Sequence, residues 1–259
     1  DSGTRFSMAD MMRLQTDELS IPARQLVPML RNLPAEGATE DARRRLLNWD
    51  FVLDKQSVEA GIYVSWEAEL RRMVGEAVVP PEADMNLSLL KVIETIMVPP
   101  GNLGRDPLRA RNDILIASLR AAIEKLTRML GPDIADWYLG QPDYHYAYLR
   151  HPLGTAVGES TRALLEAGPF PRGGYGSTVN QTGNGANQTS GASFRIIVDT
   201  GDWDRAVGMN TPGQSGDTRS PFYRNLFEYW ANNDFHPAYY SRSKIEEATA
   251  VRIDLRPGR

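Results

Sequence analysis

Residues 171–216 read PRGGYGSTVNQTGNGANQTSGASFRIIVDTGDWDRAVGMNTPGQSG, and no other part of the chain restricts the fold as strongly. Glycine, asparagine, serine and threonine crowd this stretch. They suit backbone that must take positive φ or approach another segment closely. Only 193–198 (SFRIIV) has the β-branched and aromatic content of a good strand. A weaker strand is expected over 206–209, an aromatic one over 144–149 (YHYAYL) and a closing one over 251–255. A lone sheet of three or four short strands, with its helices all placed earlier, would be an odd independent fold. The strands therefore read as additions to a sheet whose other members come from elsewhere.

The first 130 residues, in contrast, read as successive helices. Ser7 and Asp10 make an N-cap pattern in front of Met11, Met12 and Leu14. Thr39, followed by Glu40 and Asp41, is expected to open another helix, with acids where the dipole favours them. Over 57–74 the apolar residues Val58, Ile62, Trp66, Leu70, Met73 and Val74 recur at helical spacing, and Val79-Pro80-Pro81 stops the run. The clearest helix starts at Asp106-Pro107, carries Leu115, Leu119, Ala122, Ile123, Leu126 and Leu130, and ends at Gly131-Pro132. Composition changes there. Two regions follow, 1–135 mainly helical and 136–259 made of Gly/Asn-rich loops, strands and short helices. The late helices are expected from Ser220-Pro221 through Trp230 and near 244–248.

With 259 residues, 41% hydrophobic and 24% charged, the chain can bury a sizeable core. A net charge of −4 argues against a nucleic-acid footprint. Arg43-Arg44-Arg45 and Arg71-Arg72 lie within helical reach of Glu40, Asp41, Glu67 and Glu69, and read as solvated helix faces. Zero cysteines rule out disulfides and thiolate metal sites. No apolar run approaches the roughly 18 residues a spanning helix needs.

Several motifs suggest chemistry. Gly213-Gln214-Ser215-Gly216 resembles a nucleophile elbow, but Asp217 stands where the second glycine belongs, so it reads as a turn. His151, Ser215 and Asp199 make a triad on paper only. Gly173, Gly174 and Gly176 lack the strand–loop–helix context of a phosphate cradle. His145, His151 and His236 lack ligand spacing, and no metal site is assigned. Asn86, Asn180 and Asn187 open N-x-Ser/Thr patterns read as unmodified loop residues. Asp202 and Asp204 read as turn-forming acids. Asp199, closing the best strand, is the structural or processing candidate, expected to be buried and hydrogen-bonded. Arg195 shares its face, but about 13 Å along a strand separates the two, so each needs a partner from elsewhere.

An ordered set of phrases resembles the penicillin-acylase family of N-terminal-nucleophile hydrolases. It runs through Gln15-Thr16-Asp17 with Ser20, Leu47-Asn48-Trp49-Asp50, Ser57-Val58-Glu59-Ala60 with Tyr63, Trp137, Gly140-Gln141 and His151-Pro152-Leu153. It continues through Arg172-Gly173-Gly174, Thr178-Val179-Asn180, 191–199, 213–216, Ser220-Pro221, Tyr223 and Trp230. The resemblance implies an α+β fold, part of a four-layer αββα architecture whose antiparallel sheets are shared with other chains of one precursor. It implies amide hydrolysis, of β-lactam antibiotics such as penicillins or of N-acyl homoserine lactones, by a serine at the start of the large chain. That serine's own α-amino group serves as base, and an asparagine and a backbone N–H hold the oxyanion.

This chain begins with Asp1, and Ser2 is not terminal, so it reads as the C-terminal portion of the large chain with no catalytic residue of its own. The resemblance also implies no cofactor for the chemistry, any structural calcium held by ligands outside this chain, and a bacterial periplasmic or secreted setting. The expected partners are the small chain, the earlier part of the large chain and a small acyl amide. Without the resemblance, the competing reading is a noncatalytic helical module that binds a protein.

Overall fold

A computed structural model describes residue 3 and residues 5–83, 85–141, 144–183 and 187–258. In chain order it contains α1 (Met8–Gln15), α2 (Ile21–Leu26), α3 (Gly37–Leu47), α4 (Val58–Val78), α5 (Leu89–Met97) and α6 (Pro107–Leu130). There follow β1 (Tyr146–Leu149), α7 (Glu159–Leu165), β2 (Ala167–Pro171), β3 (Asn187–Gln188), β4 (Phe194–Ile197) and β5 (Val207–Asn210). The last elements are α8 (Phe227–Ala231), β6 (His236–Pro237) and α9 (Arg242–Ala248). Two compact units result. One comprises Asp17–Tyr148 and Pro169–Gly191, the other Asp1–Thr16, Leu149–Gly168 and Ala192–Arg259.

The helix boundaries follow the capping chemistry. Ser7 and Asp10 form the reciprocal capping box of α1. The side chains of Ser20, Ser57, Ser88 and Asp106 each accept a hydrogen bond from a first-turn N–H of α2, α4, α5 and α6. Gly131, at φ 91°, closes α6. At Thr39 the expectation fails. α3 opens two residues earlier behind Glu36, and the Thr39 side chain is buried in the helix instead of capping it.

In the first unit α4 is the central helix, buried for much of its circumference. Ile62, Tyr63, Trp66, Leu70 and Val74 share one core with Leu115, Leu119, Ala122 and Leu126 of α6, Val92 and Ile96 of α5, and Leu46 of α3. Trp66 Nε1–H donates to Ser118 Oγ at 3.0 Å, which satisfies the one polar atom of a fully buried indole. Where the strand YHYAYL is expected, only 146–149 is extended. His145 takes φ 65° and Tyr144 turns inward to donate its hydroxyl to Gly61 O at 2.7 Å. β1 pairs in parallel with β3, Tyr146 opposite Asn187, in a sheet ordered β2-β1-β3.

In the second unit β4, β5 and β6 form an antiparallel sheet, with Phe194 opposite Asn210 and Ile197 opposite Val207. One face of β4 buries Arg195 and Ile197. The Arg195 guanidinium lies 5.5 Å from the Trp230 ring centroid, and Trp230 Nε1–H donates to Ala192 O at 2.8 Å. Two expectations are corrected. The segment after Ser220 is mostly turn, because Phe222 O accepts from both Gln214 and Ser215 N–H, and α8 starts only at Phe227. Residues 251–255 form no strand. Leu255 is 92% exposed, and apolar alternation without a neighbouring strand does not hold an extended segment in a sheet.

The tightest approach in the first unit is at Gly61, where a Cβ would sit 1.9 Å from Trp137 O. Gly61→Ala should therefore destabilise by about 3 kcal/mol, the upper part of the usual overpacking range. An unchanged denaturant midpoint would refute this account of the α4 contact.

Candidate functional site

The Gly-rich stretch that follows β2 is held by a buried polar seam. Leu53 N–H donates to Glu18 O, Gly174 N–H to Leu53 O, and Asn180 N–H to Asp17 O, each at 2.9 Å. Asn180 Nδ2 donates to Glu18 Oε1 at 2.9 Å, and Asn180 Oδ1 accepts from the fully buried Arg172. A Cβ on Gly173 would lie 2.6 Å from Leu53 O, and one on Gly174 would lie 2.3 Å from Asn180 O. Gly174 also takes φ 80°. Glycine is the residue that meets both demands.

Between these anchors the loop closes on itself. Thr178 Oγ1 accepts from Tyr175 N–H at 3.0 Å and stands 3.0 Å from the carbonyls of Tyr175 and Asn180. His145 Nε2 lies 2.9 Å from Gly174 O. A carbonyl can only accept, so the proton is on Nε2. Gln188 Nε2 donates to the carbonyls of His145 and Arg172. Buried polar groups persist when they are paired in this way. Val179 alone projects outward, exposed between the buried Thr178 and Asn180.

Tyr175 carries the seam toward α4. Its ring forms part of the wall of a cleft of about 510 Å³ with Arg71, Arg72, Glu76 and Leu87. Burial, with the nearby Glu67 carboxyl adding to it, pushes the Tyr175 phenol up. Glu67 itself is 1% exposed and accepts from Tyr63 OH at 2.8 Å through Oε2, while Oε1 has no hydrogen-bond partner. Burial raises its pKa to about 7 from 4.5, against the pull of the Tyr63 hydrogen bond and the Arg71 charge.

The phrases of the penicillin-acylase resemblance at Asp17, Ser20, 172–174 and 178–180 thus converge on residues 51–53, just after the phrase at 47–50, although up to 162 positions separate them. Glu18, Tyr175 and Gln188 were not singled out from sequence, His145 was weighed only as a metal ligand, and Glu67, read there as part of a solvated helix face, is instead 1% exposed. Of these only Glu18 carried a signal, lying between Asp17 and Ser20.

The paper triad does not assemble as one. His151 Nδ1 accepts from Leu153 N–H, Ser215 Oγ accepts from Asp217 N–H, and Asp199 pairs with Arg205 at 2.9 Å. Each is occupied within its own turn. Asp199 is half-buried past the end of β4 and also accepts from Gly201 N–H. Its ionic partner is Arg205. Asp204 reaches further than a turn acid, accepting from Tyr240 and Ser241 N–H. Those hydrogen bonds hold its carboxyl below the usual range. Ser2 lies outside the described residues. A structural calcium needs several oxygen ligands around one point. Among the described residues no group of three His, Asp or Glu could hold a metal ion.

A family model described as penicillin amidase matches residues 1–247. The chain is 26% identical over its whole length to acyl-homoserine lactone acylase QuiP of Pseudomonas syringae pv. syringae, covering 33% of that protein. It is 26% identical over 97% of its length to penicillin acylase 2 proenzyme of a Pseudomonas species, again covering 33%. The chain therefore spans about a third of the curated relatives it matches. Among solved structures it resembles a thermostable penicillin G acylase from Alcaligenes faecalis, with TM-score 0.55 and 17% identity over 98% of this chain and 50% of that one. That likeness establishes the α+β fold of such acylases.

The Glu67 carboxyl generates a pH prediction. Its folded pKa, about 7, lies above the unfolded 4.5. Below pH 4.5 the group is neutral in both states and costs nothing. As pH rises toward 7 the unfolded state ionises first and stability falls, reaching a constant penalty of about 3 kcal/mol above that. Glu67→Gln should gain most of that difference at pH 8 and little at pH 4.5. Equal shifts in Tm at both pH values would refute the assignment.

Proposed function

As the chain belongs to the penicillin amidase family, we propose that it is the C-terminal part of an acylase that hydrolyses the amide bond of acylated small molecules. The substrate class is β-lactam antibiotics such as penicillins, N-acyl homoserine lactones, or both. The family match over residues 1–247 carries this reading, and it favours an acylase over a noncatalytic interaction module.

In the proposed enzyme the nucleophile is a serine hydroxyl at the N-terminus of another segment, released when the precursor cuts itself. Its free α-amino group, with a pKa near 8, takes the hydroxyl proton as the oxygen adds to the amide carbonyl. The tetrahedral oxyanion is held by an asparagine and a backbone N–H, the protonated amine passes its proton to the leaving nitrogen, and water then hydrolyses the acyl-enzyme. No cofactor enters these steps. This chain supplies the support: the helical core, sheet strands, and the seam that holds the loop at 172–183 rigid beside them. Its partners are the small chain and the earlier part of the large chain, and its setting is the bacterial periplasm or exterior. Among the described residues no helix is long and apolar enough to cross a membrane.

Two outcomes test the reading. The 259-residue chain alone should show no amidase activity, whereas the complete precursor should mature to a chain beginning with serine and release acid from a phenylacetyl or fatty-acyl amide. Hydrolysis by the pure chain would refute the division of labour. Asp199 is proposed to act in assembly or precursor cleavage and not in chemistry. Asp199→Asn breaks a partly exposed ion pair, so stability should fall by no more than about 1 kcal/mol. Uncut precursor should accumulate while the matured fraction keeps its turnover. Normal processing in that variant would remove Asp199 from consideration.

A further inference from the structure

α5 is apolar on more sides than its own fold uses. Val92, Ile93 and Ile96 enter the core of the first unit, yet Leu90 and Met97 remain 67% and 50% exposed. Val98 and Met85 beside them are 78% and 61% exposed. With Val79 and Leu87 these residues line a groove of about 780 Å³ between the end of α4 and α5. Among the described residues its only charged lining residues, Lys91 and Glu94, pair with each other at 3.2 Å. The described lining therefore carries no net charge and is mostly apolar.

From this we infer that the groove is the seat of an uncharged apolar polypeptide segment from the part of the acylase that lies outside this chain. The inference rests on the acylase reading above. Three observations select this occupant. A contiguous group of large exposed apolar side chains is uncommon on a surface that stays in water. Among the described lining residues Lys91 and Glu94 are partnered with each other, so no unpaired lining charge there favours a carboxylate head group or an anionic lipid surface. Relatives that match this chain along nearly its whole length are about three times as long, so they carry ample further polypeptide. Met85 and Met97, flexible and polarisable, suit a wall that adapts to an incoming segment.

The groove carries its own reporters, because Met85 and Met97 line it. Methionine oxidation by dilute peroxide can be followed peptide by peptide in the unmodified complete enzyme, natively and in denaturant. Met129 on α6, 43% exposed, serves as the reference. If the groove is filled, both methionines should oxidise at least about tenfold more slowly in the native enzyme than in denaturant, as in a water-excluding interface core. Met129 should show less protection than either. A smaller factor at Met85 or Met97 overturns the inference.

Protection that disappears on dilution would assign the groove to a second copy, and protection that appears only with added medium-chain acyl amide would assign it to a small molecule. Either result overturns the inference as well. Hydrolysis of acyl amides, assayed on the same preparation, separates the two claims. An active enzyme with reactive methionines sinks the groove alone, and protected methionines in an inactive protein sink the acylase reading alone.

Discussion

Everything the Gly-rich loop does depends on a short run of backbone, 17–20 and 51–53, whose polar groups are claimed from both sides. Leu53 gives its N–H to Glu18 and its carbonyl to Gly174, so one residue joins two segments that the sequence keeps far apart. Leu53 and Gly174 are buried and Glu18 half-buried, and leaving a buried one of these groups unmatched would cost about 1–3 kcal/mol. The loop consequently has one arrangement that satisfies the set. Its two glycines are the positions where a side chain would collide with that arrangement.

The seam also explains the charge distribution around α4. Arg172 and Asn180 are buried with the carboxylate of Glu18 close by, whereas Glu67 has a tyrosine hydroxyl at Oε2 and no hydrogen-bond partner at Oε1. Two acids in one unit are thus treated differently by their surroundings. Glu18 is a fixed acceptor in a network, and Glu67 is a carboxyl that burial pushes toward neutrality.

The helical half was legible because its signals are local. Apolar spacing and the Pro80-Pro81 stop place α4, and an Asp cap, a first-turn proline and a closing glycine place α6, each to within a few residues. At Thr39 the same logic misplaced a start by two residues, since burial claimed the side chain the cap would have used. The strands were legible in part. SFRIIV became β4, but VRIDL stayed exposed, because a strand exists only where another offers its edge and periodicity says nothing about that. Asp199, expected to be buried at the strand end, lies past the end of β4 and half-buried, and its partner Arg205 came from the adjoining turn and not from a neighbouring strand. Gln188 and His145 gave no sign of their roles. Their hydrogen bonds run to backbone carbonyls, which every residue has and no composition reveals.

The hydrogen bond from Asn180 to Glu18 spans 162 positions, and that has a consequence for how the molecule comes into being. At about 5–20 residues per second, residue 53 leaves the ribosome on the order of ten seconds before Gly174 and Asn180 can reach it. Throughout that interval the carbonyl of Leu53 and the carboxylate of Glu18 face water, beside helices that already have most of their own partners. The seam is therefore a late-closing contact of its unit, a seal applied from downstream. A nascent chain arrested before residue 172 would be helical, largely collapsed and still open along the line where the loop belongs.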